Sequence, residues 1–158
     1  MSQLASFTFL RSADVAKLGV WSKPISRFLR RAVSQYSRFL DENALRILNF
    51  TETDGIYVAF VMAALEEADP EFRDLVNPII HTLARHGGGA HWILRTDERR
   101  LLPVLHRPLP KADWKEFLLK IEAPGTDFEW ESFDAAREYV AERLNELREG
   151  EALLVSVG

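Results

Sequence analysis

The sequence predicts one α/β or α+β domain: a single small sheet that includes both terminal strands, covered by several helices. Three observations lead there. Leu4 to Leu10 alternates apolar with polar residues as a half-buried strand does, Ala152 to Val157 is a short apolar strand, and the segments between them carry helical spacing. Strands at both ends with helices between them favour neighbouring terminal strands in one covered sheet. The chain has 158 residues, 47% apolar and 28% charged, enough for one core and one domain over residues 1–158.

After the first strand, Ser12 offers a hydroxyl cap to a short helix over 13–18 that Gly19 is expected to stop. From Pro24, the residues Ile25, Phe28, Leu29, Ala32, Val33, Tyr36, Phe39 and Leu40 step by three and four, which predicts a helix over 24–40. Residues 44–50 show no period that separates helix from strand. Ile56 to Leu65 is apolar on every face, and its run into Glu66 and Glu67, with Thr53 or Asp54 able to cap, favours a buried helix. Asp69-Pro70-Glu71 and Asn77-Pro78 each mark a helix start, giving helices over 70–76 and 78–86, the second closed by Gly87.

His91 to Arg95 reads as a core strand, and Thr96-Asp97-Glu98 caps a short helix to about His106, with Pro103 a blemish in it. A helix over 113–121 follows the loop at Pro108 and Pro110. In the final helix Ser132 is the expected cap and Asp134 lies in the first turn. Phe133, Ala136, Val140, Leu144 and Leu147 form its buried stripe, Arg148 its last-turn cation and Gly150 its stop.

Composition bounds the function. The absence of cysteine removes disulfide frameworks, zinc ribbons and thiol catalysis, and fits a cytoplasmic protein. The N-terminus lacks a basic leader and reads as a strand, so no export is expected. The longest apolar run, Ile56 to Leu65, has ten residues, half of the roughly 20 that a membrane helix needs, so no membrane association is expected.

The chain contains neither phosphate-binding glycine motif, no Gly-x-Ser-x-Gly and no His-Glu-x-x-His. His81 and His86 lie about 140° apart around a helix axis, and His91 joins His86 only across a glycine loop; neither a metal nor a cofactor is expected. The most unusual stretch is Arg85-His86-Gly87-Gly88-Gly89-Ala90-His91-Trp92. Consecutive glycines can aim their amides at one point as a nest for an anion, with Arg85, His86, His91 and Arg95 supplying charge around it. The competing reading is a helix stop at Gly87 followed by chain reversal. The negative end of the preceding helix dipole favours that reading.

Charge is uneven along the chain. Lys17, Lys23, Arg27, Arg30, Arg31 and Arg38 stand without an acid between residues 16 and 40, whereas eight acids against three bases occupy 129–151. A solvated face balanced by the acidic helix of the same or a neighbouring copy accounts for this, and a homodimer is one arrangement it allows. The overall charge of -4 and the lack of aromatics among the arginines disfavour nucleic acid. Glu66, Glu67, Glu129 and Glu131 read as solvated acids, and Trp92, Trp114 and Trp130 as core or interface.

The beginning and end carry a family resemblance. Ser6-Phe7-Thr8-Phe9-Leu10 passes into Ser12-Ala13-Asp14, and a last helix feeds Glu151-Ala152-Leu153-Leu154-Val155-Ser156-Val157-Gly158. This resembles the small uncharacterised bacterial YfbM-like proteins, which likewise end in a short apolar strand closing on Val-Gly. The resemblance covers the terminal segments alone, implies a bacterial cytosolic protein and transfers no catalytic residue. Two functional expectations follow. The first is a non-catalytic binding or accessory module, with a protein partner or a small anionic ligand. The second is a hydrolase or transferase on an anionic small molecule at Gly87 to Gly89, with His86 or His91 as base and Arg85 or Arg95 as clamp.

Overall fold

The computed structural model describes residues 3–21, 35–74, 80, 83–84, 89–106 and 128–158. Its frame is a four-stranded antiparallel sheet of β1 (Ala5–Arg11), β2 (Arg46–Phe50), β3 (Ala90–Arg95) and β4 (Glu151–Val157), in the order β2-β1-β4-β3. The two terminal strands are therefore the central pair, in the register Ala5 to Val157 through Arg11 to Glu151. The fold is α+β.

Placement at the centre explains why these strands lose strict alternation. Both faces of β1 and β4 are covered, so Phe7 to Leu10 and Ala152 to Val155 are buried without a break. Side chains still divide by pleat. Phe7, Phe9, Leu153 and Val155 enter one core with Phe50, Met62, Leu65, Leu94, Leu105 and Leu144. Leu10, Ala152 and Leu154 enter a second with Val15, Leu18, Phe39 and Ile93.

The helices cover these two faces. On the second, α1 (Ser12–Trp21) runs through Gly19, because glycine ends a helix by taking the left-handed conformation and otherwise only weakens it. The described part of the helix predicted over 24–40 is α2 (Gln35–Asn43), which continues three residues past Leu40; Asn43 Nδ2 donates to the Phe39 carbonyl at 2.9 Å. Residues 22–34 lie outside the described residues, as does the predicted helix over 113–121.

The first face is covered chiefly by α3 (Ile56–Ala68) and the last helix. The segment without a readable period is thus a helix, its inner side set by Val58, Val61, Met62 and Leu65. Asp54 assists its start by accepting the Ile56 amide at 3.0 Å. The segment left open between helix and strand, 44–50, supplies β2, whose Phe50 reaches the core. Asp69 caps α4 (Pro70–Asp74), as expected, by accepting the Phe72 amide at 3.1 Å. Beyond α4 the structure describes only the helical residues 80, 83 and 84 before the loop.

The predicted helix over 96–106 divides into a 3₁₀ helix (Thr96–Leu101) and α5 (Leu102–His106), so Pro103 falls in a new first turn where its missing amide costs nothing. The buried Glu98 carboxylate accepts the Arg95 backbone amide at 2.5 Å. The last helix, α6 (Trp130–Glu146), starts two residues before Ser132, where Phe128, Trp130 and Phe133 pack edge to face. Ser132 is therefore not its cap; the hydroxyl donates to Glu129 at 2.8 Å. Phe133, Ala136, Val140, Leu144 and Leu147 are all buried, as the spacing predicts.

Arg148 lies past the end of α6. The cation that serves this terminus comes from another element: Arg99 donates to the carbonyls of Asn145 (3.2 Å) and Leu147. Conversely, buried Arg137 of α6 donates to the Leu105 carbonyl of α5 and pairs with Asp134 at 3.2 Å. Gly150, at φ +79°, then turns the chain into β4.

Candidate functional site

Of the residues predicted to surround an anion, Gly89, His91 and Arg95 fall within the described residues, while Arg85, His86, Gly87 and Gly88 fall outside them. Strand alternation puts His91 and Arg95 on the side of the second core, with Ile93. They do not meet at one point. His91 and Arg95 are four residues apart, so their Cα atoms stand about 13 Å apart along the strand. Arg95 is exposed. His91 as base and Arg95 as clamp on one anion would therefore have to act from backbone positions about 13 Å apart along the strand.

Gly89 has a packing role of its own. Its φ is +73°, and a Cβ there would stand 2.3 Å from the Val157 carbonyl oxygen. Only a residue without a side chain lets β3 begin this close to β4.

The structure gives His91 other neighbours. His91 and Ser156 are register partners, and His91 Nδ1 lies 2.9 Å from Ser156 Oγ. Ser156 also bonds the phenol of Tyr36 from α2, and burial raises the Tyr36 pKa against the lowering effect of that bond. On the far side Ser156 is opposite Ser6, which in turn faces Asn49. A polar row thus crosses the sheet at its Gly89 end, with His91 and Tyr36 each bonded to Ser156.

Two members of this cluster escaped the sequence reading. Tyr36 sits in the apolar stripe of its helix and reads there as core. Ser156 had a visible signal: it is the single polar residue inside Leu153-Leu154-Val155-Ser156-Val157. A hydroxyl inside a buried strand calls for a partner, and the partner is a histidine on the next strand.

The other polar candidates have structural partners. Glu66 is not a solvated acid; it accepts the Trp92 indole N–H at 2.8 Å and ties α3 to β3. Glu129 accepts from Ser132. In the basic stretch, Lys17 pairs with Asp14 at 2.6 Å and Arg38 with Glu42 at 2.8 Å; Lys23, Arg27, Arg30 and Arg31 lie outside the described residues, as does Trp114. Among the described residues no group of three His, Cys, Asp or Glu could hold a metal, and no helix is long and apolar enough to cross a membrane. Comparison with protein-family models, with curated proteins and with solved structures finds no match for this chain.

Proposed function

We propose that this chain is a non-catalytic binding module that takes a small anionic ligand at the loop end of its second sheet face. The observation that carries the reading is Ser156 bonded to both His91 and Tyr36, with His91 two residues after Gly89 in sequence. An imidazole and two hydroxyls are donors suited to carboxylate or phosphate oxygens. Tyr36 keeps its proton, because burial opposes the phenolate, and remains a donor.

The catalytic reading of this place is favoured by one distance. Ser156 Oγ and His91 Nδ1 at 2.9 Å are within reach for a nucleophile and its base. One set of measurements separates the two readings. Titration with inorganic phosphate, sulfate and citrate, followed by calorimetry and by the His91 resonances, is expected to show saturable binding that weakens in His91→Gln and in Tyr36→Phe. No saturable binding by any of the three anions refutes the proposal. Covalent labelling of Ser156 by a fluorophosphonate, abolished in His91→Gln, would replace it with the hydrolase reading.

A further inference from the structure

The second face of the sheet is not covered to its end. Thr8, Leu154 and Ile93 are buried in the row of partners next to the polar one, whereas Asn49, Ser6, Ser156 and His91 are each at least partly open to solvent. Two apolar side chains border this open row. Leu4, two residues before Ser6, is 55% exposed, and Ile47, two residues before Asn49, is 45% exposed. By alternation both share the face of Ser6 and Asn49. Because β1 and β2 run antiparallel, Leu4 lies on one side of the row and Ile47 on the other. A lone exposed apolar residue is ordinary, but a pair flanking a row that leads to a donor cluster suits a molecule with both characters.

We infer that the anion taken at His91, Ser156 and Tyr36 is a monocarboxylate with a short unbranched apolar chain, which lies over Ser6 between Leu4 and Ile47; this rests on the proposed binding reading. Charge selects the head. The cluster offers one imidazole and two hydroxyls. Arg95, the described cation on the same strand and face, stands about 13 Å from His91 along the backbone, so a single negative charge is better matched than a multiply charged anion.

Sheet geometry sets the chain. Ser156 and Asn49 both face Ser6 from opposite sides, so they stand about 10 Å apart across the sheet. An extended chain of roughly eight carbons covers that span. Ser6 is small enough for a chain to lie across it, and the exposed Asn49 amide closes the far end of the row.

Calorimetric titration with acetate, butyrate, hexanoate and octanoate provides the test. Octanoate is expected to bind at least about tenfold tighter than acetate, since each methylene withdrawn from water favours the complex. Octanol, with the same chain and no charge, should not saturate, and His91→Gln should weaken octanoate binding. Leu4→Ser combined with Ile47→Ser should bring octanoate toward the parent's affinity for acetate, with an unchanged far-ultraviolet spectrum and thermal midpoint showing that the variant is folded. Leu45→Ser, as exposed as Ile47 but placed before β2, should keep the preference. Equal affinity for acetate and octanoate, a preference that survives in the folded double variant, or octanoate binding indifferent to His91→Gln overturns the inference and leaves the binding of inorganic anions to be judged by itself. No saturable binding of any carboxylate, phosphate or sulfate removes the anion site with it.

Discussion

Replacing Gly89 by alanine separates backbone strain from collision, because the chain supplies its own control at Gly150. At Gly89 the substitution places an L residue at φ +73° and puts its Cβ 2.3 Å from the carbonyl oxygen and 3.1 Å from the carbonyl carbon of Val157. The left-handed backbone costs about 1–2 kcal/mol. The collision cannot be relieved by turning a side chain, since Val157 is itself paired with Ala5 on one side and Ala90 on the other. Shifting that backbone adds about 1–3 kcal/mol, the usual range for overpacking. At Gly150, with φ +79° and nothing within 4 Å of the added atom, only the first cost applies.

For a chain of this size 1 kcal/mol moves the thermal midpoint by about 2–4 °C. Gly150→Ala is therefore expected to lower it by about 2–8 °C, and Gly89→Ala by about twice as much. Thermal and urea unfolding of both variants provide the assay. Equal losses would refute the collision. A Gly89→Ala protein as stable as the parent but deaf to phosphate would show that this residue serves a ligand and not the packing.

Other perturbations have calculable outcomes. Leu144→Ala, in the wholly buried stripe of α6, should cost about 2–5 kcal/mol in urea unfolding. Arg137→Ala leaves the Leu105 carbonyl without its buried donor and should cost about 2–4 kcal/mol, more than Arg148→Ala at the exposed end of the same segment. Glu98→Ala removes the acceptor of the Arg95 amide and should cost about 1–2 kcal/mol, read by the same assay. Burial raises the Tyr36 pKa above its ordinary 10.0, so the folded chain holds that proton longer than the unfolded one. Stability from this group is complete below pH 10.0 and falls as pH rises through the folded value. Tyr36→Phe should accordingly flatten the alkaline side of the stability curve, and an unchanged alkaline slope would contradict the assignment.

The parts of the fold legible in the sequence were those with a period. The stripe of α6 could be counted off at threes and fours, and Leu4 to Leu10 alternated enough to mark a strand. Residues 44–50 and 56–65 had no period, for different reasons. Strand β2 lies at an edge with Leu45 and Ile47 exposed, so its apolar residues do not sort by burial; α3 is apolar nearly all round. Helix ends were misplaced where the cap comes from elsewhere in space. Nothing near Arg148 in sequence reveals that Arg99 serves that terminus. The site was legible by half for the same reason: His91 is conspicuous beside three glycines, whereas its bond to Ser156 joins two strands far apart in sequence.

The pairing of first and last strands fixes the order in which this chain can fold. Leu4 and Gly158 exchange backbone hydrogen bonds at 3.3 and 3.1 Å, and β1 finds its principal neighbour only in β4. During synthesis β1 emerges well before β4; it can pair early with β2, but its other edge stays open until β4 has followed. Helices α3 and α6 have local bonds to form in the meantime, but the sheet that seats them does not yet exist. Contacts of such long sequence separation close slowly. A nascent chain stalled before residue 151 therefore displays one open edge of an apolar strand, a form that chaperones and proteases would recognise and the complete sheet hides.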